Sequence, residues 1–160
     1  MLYFAYGGNT NPYHIQKSYP DAQFLGIGLL PNYRLVFRQV DHTKLEHAYC
    51  DIEEYQKHSI TPDDGVYGVI YEMPEDHMKK LDEQELVDVI YFRETHTVLN
   101  MTTNKEHTCQ VYVMCDQTQP YMMPTSRYLK VVHIGYHHHK LPQKQFMKAI
   151  NKAKKMIKKD

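Results

Sequence analysis

Apolar and polar positions change period several times along the chain of 160 residues, and each change marks a new element. Residues 66–73 alternate most regularly, with Tyr67, Val69, Tyr71 and Met73 on one face, which predicts a strand that stops at Pro74. Leu2–Ala5 reads as a short buried strand, and the following Gly7-Gly8 pair predicts a tight turn with positive φ angles. The stretches 24–30, 33–38 and 47–53 predict further strands, joined by Pro31-Asn32 and by a polar segment around Asp41-His42-Thr43. Another turn is expected at 61–65, and residues 89–99 and 108–115 read as a strand pair joined through a polar connection at 100–106.

Helical signals fall between these runs. Asn11 suits an N-cap and Pro12 a first helical position, which predicts a helix to about Tyr19, just before Pro20-Asp21. Pro74-Glu75-Asp76 opens a second helix reaching roughly Leu86, with a narrow stripe of Met78, Leu81 and Glu85. Beyond loop markers at Pro120 and Pro124, the residues Tyr128, Val131, Val132 and Gly135 recur at helical spacing, although the β-branched pair also suits a strand. Pro142 opens a last amphipathic helix, with Phe146, Ile150, Ala153 and Ile157 on one stripe. Seven or eight strands with a few helices, and no repeat, predict a single α+β domain over 1–160 built on a curled sheet or small barrel.

Composition adds boundaries. Hydrophobic residues are 42% and charged residues 24% of the chain, as in soluble globular domains. No apolar run is long enough for a membrane helix, and no basic leader region precedes Leu2, so a cytoplasmic protein is expected. Cys50, Cys109 and Cys115 are odd in number and lack Cys-x-x-Cys spacing, which points to buried free thiols and away from disulfides or zinc. Lys plus Arg equals Asp plus Glu, yet residues 140–160 hold eight lysines and one acid. That basic segment suits a terminal helix docked on the domain, or a helix presented to a partner or membrane surface.

Two positions stand out chemically. The glycine turn ahead of a helix start gathers backbone N–H groups that can hold a small carboxylate, with Asn9 adding an amide. It is neither a P-loop nor a dinucleotide fingerprint. Glu85 lies four residues after Leu81 and seven after Met78, so the helical pattern directs a carboxylate toward the core. Burial raises a carboxyl pKa into the range useful for general acid/base work. Asp82, Glu83 and Gln84 occupy other faces and read as solvated surface. Tyr3, Tyr6, Tyr71, Tyr91, Tyr112 and Tyr128 are among fourteen tyrosines, and periodicity does not select which hydroxyls reach a pocket. His137-His138-His139 reads as a solvated loop, because consecutive side chains diverge; no metal site is expected. No Ser or Cys sits in a recognisable nucleophile setting.

Three separated segments resemble the γ-glutamylcyclotransferase family: Leu2-Tyr3-Phe4-Ala5-Tyr6-Gly7-Gly8-Asn9, then Leu81-Asp82-Glu83-Gln84-Glu85, and Ser126-Arg127-Tyr128 through Gly135 to Leu141-Pro142. Val66-Tyr67-Gly68-Val69-Ile70-Tyr71 resembles the strand before the family's catalytic helix. The resemblance implies a small mixed β-barrel flanked by helices, and a cofactor-independent enzyme that releases 5-oxoproline from a γ-glutamyl amino acid. By position it makes Glu85 the catalytic acid/base, Tyr3, Phe4, Ala5, Tyr6, Gly7, Gly8 and Asn9 the substrate-holding loop, and Tyr128 a substrate contact. Two positions depart from the family pattern: Gly8 stands where Ser is common, and Leu86 where Gly is common. The implied partner is a small γ-glutamyl substrate, with no nucleic acid or membrane; a homodimer is left open. Release of a γ-glutamylamine by the same fold, or a non-catalytic binding module using the basic C-terminal helix, are the alternatives.

Overall fold

The computed structural model describes residues 1–40, 47–55 and 65–157, with the side chain of Ile157 left aside. The expected connection at Asp41-His42-Thr43 and all of the turn at 61–65 except Gly65 lie outside the described residues. Five strands close into a barrel in the order β1 (Leu2–Ala5), β5 (Gly65–Glu72), β2 (Gln23–Pro31), β6 (Tyr91–Asn100) and β7 (Lys105–Met114). β1 closes the ring by running parallel to β7, where Tyr3 pairs with Gln110, while the other neighbours are antiparallel. β3 (Tyr33–Gln39) and β4 (Ala48–Glu54) form a separate two-stranded ladder. The fold is therefore α+β on a mixed barrel.

The alternating stretch at 66–73 is a strand as far as Glu72, and barrel closure buries both of its faces: Val66 and Ile70 join one apolar cluster while Val69, Tyr71 and Met73 join another. A strand in a small barrel has an interior face and an exterior face, and here the helices cover the exterior. Phe4 likewise enters the first cluster while its neighbours Tyr3 and Ala5 enter the second.

Four α-helices flank the strands among the described residues: α1 (Pro12–Ser18), α2 (Glu75–Gln84), α3 (Ser126–His138) and α4 (Gln143–Ile157). Asn11 caps α1, its side chain accepting from the amides of Tyr13 and His14 at 2.9 and 3.2 Å. The Val131-Val132 ambiguity resolves to helix, because Thr125 caps the Tyr128 amide and Val132 and Tyr136 are buried one turn apart. α4 packs on β3, with the Phe146 ring edge-on to Phe37 at 6.0 Å.

Several boundaries move. β6 begins at Tyr91 rather than 89, and β7 begins at Lys105 rather than 108, because the hairpin pairs Asn100 with Lys105. The side chain of Asn100 accepts from the amides of Thr102 and Thr103, and Asn104 adopts φ 61°, so four residues suffice for the turn. The histidine triplet is the C-terminal end of α3, not a loop: His137 and His138 are exposed, while His139 stacks on Phe24. Cys50 and Cys109 are buried free thiols and Cys115 is half-buried.

Candidate active site

Where β1 leaves the barrel, the chain enters a short 3-10 turn (Gly8–Thr10) that runs directly into α1. The expected positive φ angles are not used. Gly7 has φ −117° and no described glycine has positive φ; the turn is made instead by helical bonds from Thr10 to Gly7 and from Asn11 to Gly8. The Gly8 and Asn9 amides open this turn, where a helical pattern leaves the first N–H groups without an internal acceptor.

The loop is held from above by α3. A Cβ on Gly135 would lie 2.1 Å from the Thr10 hydroxyl and 2.7 Å from the Asn11 amide nitrogen, so only glycine permits this approach. The Asn11 side chain donates to the Val131 carbonyl at 3.1 Å, and the Tyr136 hydroxyl donates to the Tyr6 carbonyl at 2.7 Å. With α3 seated this way, Tyr128, two turns before Gly135, reaches over the loop, and its hydroxyl accepts from the Cys50 amide at 3.1 Å. Gly7 is compressed between the two, since a Cβ there would meet Cys50 at 2.9 Å and the Tyr128 hydroxyl at 3.2 Å.

Glu85 arrives from the opposite wall. The helix ends two residues before Leu86, where the pattern carries it, and Glu85 is its C-cap, with its amide still bonded to the Leu81 carbonyl. Leu86 follows at φ 49°, and the amides of Val87 and Leu86 donate back to the carbonyls of Asp82 and Glu83 at 3.0 and 3.2 Å. This is a Schellman stop, a position that usually takes glycine. It fixes the backbone on both sides of the carboxylate.

Loop, Tyr128 and Glu85 together enclose a cavity of about 350 Å³. Of the sequence-predicted site residues, Glu85, Tyr3, Phe4, Tyr6, Gly7, Gly8, Asn9 and Tyr128 line it. Ala5 does not: it shares a strand face with Tyr3, but its methyl group is too short and ends in the core. Tyr91 and Tyr112, two of the tyrosines among which periodicity does not choose, also line it, as do His14, Tyr49, Cys50 and Gln84, for which the sequence pattern gives no site signal. Gln84, read as solvated surface, is exposed, and its amide oxygen also accepts from Tyr19 at the end of α1. Asp82 was read the same way, yet it accepts from Tyr112 at 2.6 Å and pairs with Arg93 at 3.2 Å. The Asp82 departure arises because β6 and β7 cover a face left open by the helical pattern.

The electrostatics are set by desolvation. No described residue hydrogen-bonds or pairs with the Glu85 carboxylate, and burial pushes its pKa up to about 7. Burial, assisted by that carboxylate, also holds the phenols of Tyr3, Tyr6 and Tyr91 well above the usual tyrosine value. They remain neutral hydrogen-bonding groups. The Asn9 amide donates to the Tyr3 hydroxyl at 3.1 Å, and the Asn9 carbonyl accepts from Tyr71 at 2.8 Å, which pins the loop to the barrel wall. The described residues contain no group of three or more acidic, His or Cys side chains placed to hold a metal ion.

On this small barrel a carboxylate, unpaired among the described residues, faces a strand-to-helix glycine loop across a tyrosine-rich cavity. Residues 65–148 match the AIG2-like family model. Over 144 residues the chain is 30% identical to the γ-glutamylcyclotransferase of Mus musculus, covering 89% of this chain and 73% of that protein. The Bos taurus γ-glutamylcyclotransferase is 28% identical over 151 residues, 94% of this chain and 77% of its own length. A solved structure described as a γ-glutamyl cyclotransferase aligns with a TM-score of 0.77 at 27% identity, over 93% of this chain and 85% of that one. The chain belongs to the AIG2-like family and, within it, to the γ-glutamylcyclotransferase group.

Proposed function

We propose that the protein converts γ-glutamyl amino acids to 5-oxoproline and a free amino acid, with Glu85 as the single acid/base. The observation that carries this reading is the Glu85 carboxylate, unpaired among the described residues and opposite the glycine loop in a cavity of about 350 Å³. A carboxylate desolvated without a partner is costly to fold, and a catalytic task accounts for it.

The substrate α-carboxylate sits on the Gly7-Gly8 segment, bound by backbone N–H groups, and the γ-glutamyl chain folds back so that its amine faces its own γ-carbonyl. Glu85 takes a proton from the α-ammonium. The freed nitrogen attacks the γ-carbonyl carbon, forming the ring C–N bond. As the tetrahedral adduct collapses, Glu85 returns that proton to the leaving nitrogen and the bond to the departing amino acid breaks; the carboxylate then carries the second proton from the ring nitrogen to the freed amine, leaving a neutral lactam and an ammonium group. Atoms and charge balance without water or cofactor. A carboxyl poised at about pH 7 populates both forms needed for this cycle. The Tyr3 hydroxyl, accepting from Asn9, keeps its own proton for a substrate oxygen.

The test is 5-oxoproline formation from γ-glutamyl-alanine, γ-glutamyl-ε-lysine and glutathione by the native chain and by Glu85→Gln. The native chain is expected to act on γ-glutamyl-alanine, with Glu85→Gln binding that dipeptide but forming no product. Turnover by Glu85→Gln within tenfold of native would overturn the acid/base assignment. Preference for γ-glutamyl-ε-lysine would assign the chain to γ-glutamylamine release instead.

A further inference from the structure

A second cavity, of about 490 Å³, lies between α4, β3 and the start of β5 and shares no lining residue with the first. Its α4 wall carries Lys144, Lys148, Lys152 and Lys155, whose four-, four- and three-residue spacing puts them on one helix face. Across from them stand Arg34 and the rings of Tyr33, Tyr55 and Tyr67.

The polar groups here are unevenly satisfied. Gln145 is fully engaged, accepting from the Tyr67 amide at 2.7 Å and donating to the Tyr67 carbonyl and the Tyr136 hydroxyl at 2.9 and 2.8 Å. Arg34 pairs with Glu53 at 2.8 Å, but its Nε is buried without a partner. The other Glu53 oxygen is taken by Arg38 and Tyr121. Among the described residues no carboxylate lines the cavity, and none pairs with Lys148, Lys152 or Lys155. Lys152 is half-buried, and burial, joined by Arg34, Lys148 and Lys155 and only partly offset by the nearby Glu53, holds its ammonium below the usual lysine value. Like charges gathered around a concave space, with one of them desolvated, disfavour the empty state and favour a bound polyanion. An ordinary solvated lysine face would be convex and uncrowded.

We propose that this cavity binds a phosphorylated small molecule bearing a ring, of the nucleoside polyphosphate class, with its phosphates on Lys148, Lys152 and Lys155 and its ring against Tyr33 and Tyr67. Lys148 and Lys155 lie about 10 Å apart along the helix axis, a span matched by a polyphosphate chain. The two tyrosines, partly buried against the core, supply the apolar contact.

The experiment is calorimetric titration of the full chain with ATP in low salt without metal, alongside tripolyphosphate and adenosine. One-to-one saturable ATP binding is expected, with tripolyphosphate at least about tenfold weaker. Lys148→Gln/Lys152→Gln should weaken ATP about a hundredfold at an unchanged thermal midpoint, since each lost charged contact is worth about tenfold. Lys148→Arg/Lys152→Arg should restore binding, which separates loss of charge from loss of fold. Absence of saturation at millimolar ATP, equal binding of tripolyphosphate, or full affinity in the Gln variant would each overturn the proposal. Binding of duplex DNA or anionic vesicles that ATP fails to displace would overturn it in favour of a macromolecular surface.

Discussion

Replacing Glu85 with Gln should make the protein more stable, and the gain should depend on pH in one direction only. Burial raises the Glu85 carboxyl from its ordinary value of 4.5 to about 7. Between those values the folded chain keeps a proton that the unfolded chain has lost, so stability falls as pH rises through the window and stays low above pH 7. At 1.36 kcal/mol per pH unit the ceiling of that loss is about 3.4 kcal/mol. Glu85 is only half-buried and its cavity admits solvent, so screening reduces the expected loss to about 1.5–2 kcal/mol. Gln has nearly the same shape and cannot ionise. Thermal unfolding of both proteins between pH 4 and 8.5 should therefore show little difference at the acid end and a Glu85→Gln advantage of about 5 °C above pH 7. Parallel curves, or an advantage that grows toward acid, would refute the claim that this carboxylate is desolvated and unpaired. The same group should place the acid limb of kcat/KM near pH 7 in the native enzyme.

Gly135→Ala should cost about 2–3 kcal/mol and lower turnover, because the new methyl group falls 2.1 Å from Thr10 and meets the Asn11 backbone; denaturant unfolding with unchanged stability would show that α3 does not clamp the loop. Gly8→Ser should fold within about 0.5 kcal/mol of native, since a Cβ there meets Tyr128 and Val131 at 3.6 and 3.8 Å, both ordinary contacts. Its kcat/KM for γ-glutamyl-alanine should be equal or higher, and a severe loss would mean the site is built around glycine. Leu86→Gly should be about 1 kcal/mol more stable than Leu86→Ala, as measured by urea midpoints, because φ is 49° at this position; the reverse order would place the helix stop elsewhere.

Much of this arrangement was legible from local pattern. The strand at 66–73, the Asn11-Pro12 helix start and the Pro142 helix all follow from rules acting within a few residues, and the structure has each of them to within one or two positions. Glu85 was flagged because a helical stripe led into it, although that stripe ends just before it. The helix end near Leu86 is legible, but a leucine gives no composition signal for the left-handed backbone it adopts there. Asp82 departs from its surface reading because helical periodicity describes one helix and is silent about β6 and β7 beside it.

Sequence alone therefore determined most of the elements, the position of the glycine loop and the identity of the unusual carboxylate, all of which depend on backbone preference and short-range periodicity. Tertiary structure decided which tyrosines face the cavity, that Tyr128 lies over the loop, and that α4 lines a second, cationic space. The physical reason is barrel closure. Joining β1 to β7 and seating α3 through Gly135 bring residues more than a hundred positions apart within hydrogen-bonding reach, and no local pattern carries that distance.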